Sequence, residues 1–113
     1  GKADHLTDQF SLGVVAYEML SGQKAFRGPT METRLRAVLH GDVEPLGEAA
    51  LGLPTPVTEL VHRMISLRRE NRFSSWGRVV MALREAAEMA RVSLSPKPTI
   101  LPLLENRDKP FGL

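Results

Sequence analysis

Thr7-Asp8-Gln9-Phe10-Ser11-Leu12-Gly13-Val14-Val15-Ala16-Tyr17-Glu18-Met19-Leu20-Ser21-Gly22 is the stretch whose reading decides the fold. Between Phe10 and Leu20 only Ser11 and Glu18 are polar, so no wide stripe is left to face water. A helix that is hydrophobic all round is either buried on all sides or spans a membrane. Thr7 is a suitable N-cap, Asp8 suits the positive end of the helix dipole, and Gly22 suits the C-terminal stop. The helix so bounded has about fourteen residues, short of the roughly 20 that a bilayer requires. It therefore reads as a core helix, in a chain with little else to wrap it.

Working outward, three more helices follow and no convincing strand. Gln23 to Thr30 is a loop, with Gly28-Pro29 as its turn signal. The second helix is predicted from Met31 to His40, capped by Thr30 and stopped by Gly41, with Met31, Leu35, Val38 and Leu39 on one face. Asp42 to Thr55 is a long loop in which Glu48 to Leu51 can form one turn. Thr55-Pro56 opens the third helix in the favoured cap-then-Pro order, and Val57, Leu60, Val61, Met64, Ile65 and Leu67 recur at helical spacing. The fourth starts at Ser74 or Ser75 and carries the stripe Trp76, Val79, Val80, Leu83, Ala87 and Ala90, with Trp76 expected in the core. From Ser93 the chain holds Pro96, Pro98, Pro102 and Pro110 and reads as an extended linker. The expected organisation is an all-α unit of about four helices over residues 1–92, followed by a Pro-rich tail over 93–113.

Composition fits a small soluble unit. Of the 113 residues, 42% are hydrophobic and 25% charged, ordinary values for a globular domain. The absence of Cys excludes disulfide staples and thiolate metal sites. A net charge of +2 gives no electrostatic footprint for nucleic acid. No apolar run approaches a transmembrane length and no signal-peptide pattern opens the chain, so a cytoplasmic location is the expectation.

The stretch Thr7 to Gly22, followed by Ala25-Phe26-Arg27-Gly28, resembles the central C-lobe helix of serine/threonine protein kinases. That family shows Asp, two residues, Ser, a large apolar residue and Gly, then an apolar run with Tyr-Glu-Met/Leu-Leu and Thr/Ser-Gly. Gln9-Phe10, where many kinases carry a Trp, resembles the bacterial dialect. Pro56 to Leu67 with Arg72-Phe73-Ser74 is similar to the next-to-last helix and the Arg-containing turn after it, and the last helix runs from about Ser75 to Arg91. The resemblance covers roughly Gly1 to Arg91 and implies a kinase-like C-lobe fragment.

The motifs of phosphoryl transfer do not occur here. There is no Gly-rich phosphate loop, His-Arg-Asp, Asp-Phe-Gly or Ala-Pro-Glu string. Without groups that position ATP, hold magnesium and orient the hydroxyl, this chain alone is expected to be catalytically incompetent. No catalytic, cofactor-binding or metal-binding residue is assigned; ATP and Mg belong to the parent kinase that the resemblance implies. The expected partner is the N-terminal part of that kinase domain.

Two structural positions carry over by resemblance. Asp8, by position alone, is a favourable dipole partner worth about 0.3–1 kcal/mol; the resemblance implies that its counterpart holds the backbone of the catalytic loop. Arg72 corresponds to an Arg that pairs with the Glu of the Ala-Pro-Glu segment. Without that Glu, Arg72 is expected to swing to solvent and take its turn along, because an unpaired buried charge costs about 3–5 kcal/mol. Arg63, Arg68 and Arg69 read as solvated charges.

The remaining residues point to little chemistry. His5, His40 and His62 lack a second ligand at helical or turn spacing, which argues against a metal site. Asp42 and Glu44 have no paired, desolvated setting for acid–base work. By resemblance, Met31 to His40 is a docking element for substrates or regulators. Two other functions stay open: a stand-alone helical interaction module with an apolar binding face, and a helix-turn-helix DNA binder. The connection from Arg68 to Ser74 exceeds the 3–4 residues of that motif, which disfavours the second.

Overall fold

The computed structural model describes residues 4–93. The tail read as a linker lies, apart from Ser93, outside the described residues. The described part is all helical: α1 His5–Ser21, α2 Met31–His40, α3 Leu46–Ala49, α4 Thr55–Met64, a 3-10 turn Arg69–Asn71, and α5 Trp76–Ser93. No strand occurs among the described residues. None of their helices is long and apolar enough to cross a membrane.

α1 begins three residues earlier than the sequence suggested. Asp4, not Thr7, is the N-cap: its extended backbone presents Oδ1 to the N–H groups of Leu6 and Thr7 at 2.7 and 3.4 Å. A carboxylate so placed satisfies two of the orphan donors and meets the positive helix end. Gly22 ends the helix as expected, in the left-handed region with φ 69°, and its N–H donates to Glu18 O. Glu18, the one charged residue of the helix interior, accepts from the Ala25 N–H at 3.2 Å and so fixes the returning loop.

α1 packs on α4, and the main core forms there. Tyr17 and Leu46 are fully buried, with Ala25, Val61 and Ile65 around them. Burying an aromatic or aliphatic side chain is worth about 1.5–3 kcal/mol, so these few residues carry much of the fold. Gly13 is the contact point of the two helices: a Cβ there would lie 2.7 Å from Ile65 Cγ2 and 2.9 Å from Met64 Cβ. A second, smaller core joins α4 to α5 through Met64, Phe73 and Val79.

Some sequence expectations hold at this level and others change. α1, read as a core helix that the chain has little to wrap, is not wrapped: Leu12, Val15 and Met19 are 50%, 51% and 79% exposed. The described residues cover only its Gln9–Gly13–Tyr17 side. α2 has the expected Thr30 cap and Gly41 stop, but it turns Ala37 inward and leaves Met31, Leu35 and Leu39 in solvent. The single turn in the following loop is α3, shifted to start at Leu46, because that leucine is the anchor buried against α1 and α4. Pro54 takes the cap position of α4, which places Thr55 and Pro56 inside its first turn. Ser75 caps α5, accepting from the Arg78 N–H at 3.2 Å. Trp76 is 40% exposed rather than core, since α5 buries Val79 and Ala86 against α4 and turns Val80 and Leu83 outward.

Candidate structural site at the start of the first helix

The first two turns of α1 and the segment from Ser66 to Ser74 form a dense polar knot. Gln9 is fully buried, and its carboxamide pairs with the backbone of Phe73 in both directions: Nε2 donates to Phe73 O and Phe73 N–H donates to Oε1, each at 2.9 Å. No buried side-chain nitrogen or oxygen among the described residues lacks a partner. The ring of Phe73 is covered on its outer side by Arg63, whose guanidinium carbon lies 4.2 Å from the ring centre. Arg63 Nε also donates to Asn71 O at 3.2 Å.

Arg72 does not swing to solvent. It is half-buried, Nε donates to Ser66 O and Nη1 to Leu6 O, both at 2.9 Å, and the guanidinium lies 4.9 Å from the centre of the Phe10 ring. Two main-chain carbonyls and an aromatic face compensate for the lost hydration, so a carboxylate is not needed to keep the side chain in place. Burial first, and the neighbouring Arg69 second, lower its pKa. Arg69 is engaged as well: it pairs with the Asp4 carboxylate and donates to Thr7 Oγ1 at 3.2 Å. That guanidinium, followed by the Leu6 N–H, holds the Asp4 carboxyl below its ordinary value. Arg63, Arg68 and Arg69, read as solvated charges, are all exposed, and of the three only the Arg68 side chain has no partner among the described residues.

Asp8 stands apart from this knot. It is exposed, and its side chain makes no hydrogen bond or ion pair among the described residues. Helical spacing puts Asp8, Leu12, Val15 and Met19 on one stripe, and the three apolar members are exposed. An open carboxylate thus heads an open apolar strip.

A second polar cluster braces the other end of α1. Tyr17 Oη donates to Glu44 O at 2.6 Å, and Arg27 pairs with the Glu44 carboxylate at 2.8 Å. His62 receives the Leu46 N–H at Nε2, 2.7 Å away, and stands edge-on to the Tyr17 ring. Burial raises the Tyr17 phenol and lowers the His62 imidazole, consistent with a neutral His acting as acceptor. These groups are spent on structure. His5 likewise bonds Ser74 O at 2.9 Å, and no group of three His, Asp or Glu among the described residues could hold a metal ion. The sequence reading missed Gln9 and His62 as anchors.

The polar groups found here hold helices together, and no nucleophile–base pair or cavity of chemical type emerges from them. No protein-family model matches the chain. Among curated proteins it is similar to the serine/threonine-protein kinase UCN of Arabidopsis thaliana, 32% identical over 73 residues, which is 65% of this chain and 17% of that protein. It is also similar to serine/threonine-protein kinase UCNL of the same plant, 27% identical over 96% of this chain and 26% of the relative. Phototropin-1A of Oryza sativa subsp. japonica is 30% identical over 61% of this chain and 7% of its own length. The chain therefore spans about a quarter or less of the curated relatives it matches, and it contains a kinase-related region.

Proposed function

We propose that this chain is the C-terminal portion of the C-lobe of a serine/threonine protein kinase of bacterial type, cytoplasmic, and inactive by itself. The parent would transfer the terminal phosphoryl group of ATP, with Mg, to Ser or Thr of proteins. In this reading residues 1–92 belong to the kinase domain and 93–113 to a linker. The upstream part of the domain carries the nucleotide site and the catalytic loop.

The observation that carries the reading is the open stripe on α1. Leu12, Val15 and Met19 are half to four-fifths exposed, on a helix whose sequence calls for burial all round. Exposed contiguous apolar surface of this kind marks an interaction face. The catalytic loop and its supporting helices would cover it, and Asp8 at its head would accept backbone N–H groups of that loop. Arg72, fixed beside Leu6 and Phe10 on the other side of α1, would meet the glutamate of the Ala-Pro-Glu segment there.

The coding sequence immediately upstream of Gly1 tests this. An in-frame stretch encoding His-Arg-Asp, Asp-Phe-Gly and Ala-Pro-Glu is expected, and the protein from that longer frame should phosphorylate Ser or Thr of a general protein substrate. A stop codon followed by a genuine start at this point would overturn the reading and leave an interaction module.

A further inference from the structure

Between α4 and α5 runs an apolar trench that the kinase reading does not use. At the C-terminal end of α5 it opens as a cavity of about 440 Å³ lined by Pro54, Pro56, Met89 and Val92. A second cavity of about 370 Å³ shares Pro56 and Met89 and continues past Leu60 and Ala82 to Phe73. Met89 and Val92 are 54% and 62% exposed. The lining carboxylates are Glu88 at the mouth and Glu59 and Glu85 further in, with Arg63 at the inner end. Glu88 is shared with Arg91 at 2.6 Å, which leaves Glu59 and Glu85 as the acidic pair facing the inner cavity.

The chain supplies its own candidate occupant. α5 ends at Ser93, next to Val92 at the mouth of the trench, and the sequence continues Leu94-Ser95-Pro96-Lys97-Pro98-Thr99-Ile100-Leu101-Pro102-Leu103-Leu104. These residues lie outside the described ones. Three prolines in this short span favour polyproline II, a conformation that docks in apolar grooves at low entropic cost. Ile100, Leu101, Leu103 and Leu104 match the apolar floor. The eleven residues from Leu94 to Leu104 reach at most about 36 Å. Along α5 the trench from Val92 back to Ala82 measures about 15 Å. Reach is therefore ample, and a short tether gives the tail an effective concentration in the millimolar range.

We propose that residues Pro98–Leu104 of this same chain dock in the trench between α4 and α5, running back along α5. The docked tail covers Met89 and closes the second core, whatever the fate of the opposite, α1 face. This proposal does not depend on the kinase reading.

Disulfide trapping in the full chain tests it, with no background because the sequence holds no Cys. The double variant Met89→Cys/Leu101→Cys is oxidised under dilute conditions and compared with Ala87→Cys/Leu101→Cys, whose first position is exposed, lies on the opposite side of α5 and has nearly the same separation along the chain. Docking predicts an intramolecular bond in the Met89 pair at least about tenfold faster than in the Ala87 pair. Adding Ile100→Ser, Leu103→Ser and Leu104→Ser should remove that advantage. Equal rates for the two pairs, including those of an unfolded chain, would overturn the proposal. So would a predominance of covalent dimers, which would assign the trench to a second copy's tail.

Discussion

Gln9 and Phe73 hold each other at both ends, the carboxamide of one matching the peptide donor and acceptor of the other at 2.9 Å. The pair ties the start of α1 to the turn that launches α5, and it does so in a site closed to water. A buried peptide unit that loses its partners keeps its desolvation penalty, about 1–3 kcal/mol per group. Gln9→Leu orphans both the N–H and the carbonyl of Phe73, so a loss of about 2–4 kcal/mol is expected. Urea unfolding followed by far-UV circular dichroism measures it. A loss under about 0.5 kcal/mol, the scale of an ordinary surface change, would show that the bonds are replaced by water.

Gly13 sets the distance between α1 and α4. An added methyl there meets Ile65 Cγ2 and the Cβ of Met64, which belong to the buried core and cannot both retreat. Gly13→Ala should cost about 1–3 kcal/mol despite the better helix propensity of alanine. Gly47→Ala is the matched control: nothing lies within 4 Å of its added Cβ, so removing backbone freedom should leave stability unchanged or raised by up to about 1 kcal/mol. Thermal unfolding of the two variants side by side should move in opposite directions or leave the control still.

These two sites show what a sequence can and cannot convey. Gly22 and Gly41 were legible as helix stops because a left-handed cap is a local requirement, and both adopt it. Thr30 was legible as a cap for the same reason. The choice between Asp4 and Thr7 at the start of α1 was not, since the deciding group, Arg69, lies 65 residues away. Trp76 illustrates a second limit. Periodicity marks an apolar stripe on α5, but only packing decides that Val79 and Ala86 take α4 and Trp76 stays half outside. Gln9 and His62 had no sequence signal, because their partners are backbone groups 64 and 16 residues distant. Arg72 was expected to swing to solvent, and instead two carbonyls and the Phe10 ring, none of them adjacent in sequence, hold it half-buried.

His62 makes stability depend on pH. Its Nε2 accepts the Leu46 N–H, so the folded state needs the neutral ring, and burial lowers its pKa below the ordinary 6.5. The unfolded chain then binds the proton first as pH falls. The contribution is fully present above pH 6.5 and is lost progressively as pH drops from there through the folded-state value. The urea midpoint should therefore fall between pH 7 and pH 5 in the wild-type chain. His62→Gln retains an acceptor without a titrating group and should flatten that part of the profile. An unchanged slope in the variant would assign the dependence to other groups.

The open stripe of α1 separates two roles that a single destabilisation experiment would confuse. Val15 and Met19 are 51% and 79% exposed, so replacing both by Lys removes little buried area from this chain. Val15→Lys/Met19→Lys should leave the unfolding free energy within about 0.5 kcal/mol of wild type, as surface changes do. The same variant should sediment as a monomer at concentrations where the wild-type chain self-associates through its apolar surface. It should also fail to retain an upstream kinase segment supplied in trans, because two charges would be buried without partners at that contact. A stability loss of about 2–5 kcal/mol, the cost of a core truncation, would instead mean that the stripe is covered within the chain itself. Unchanged capture of the upstream segment would move the contact to another face of the helices.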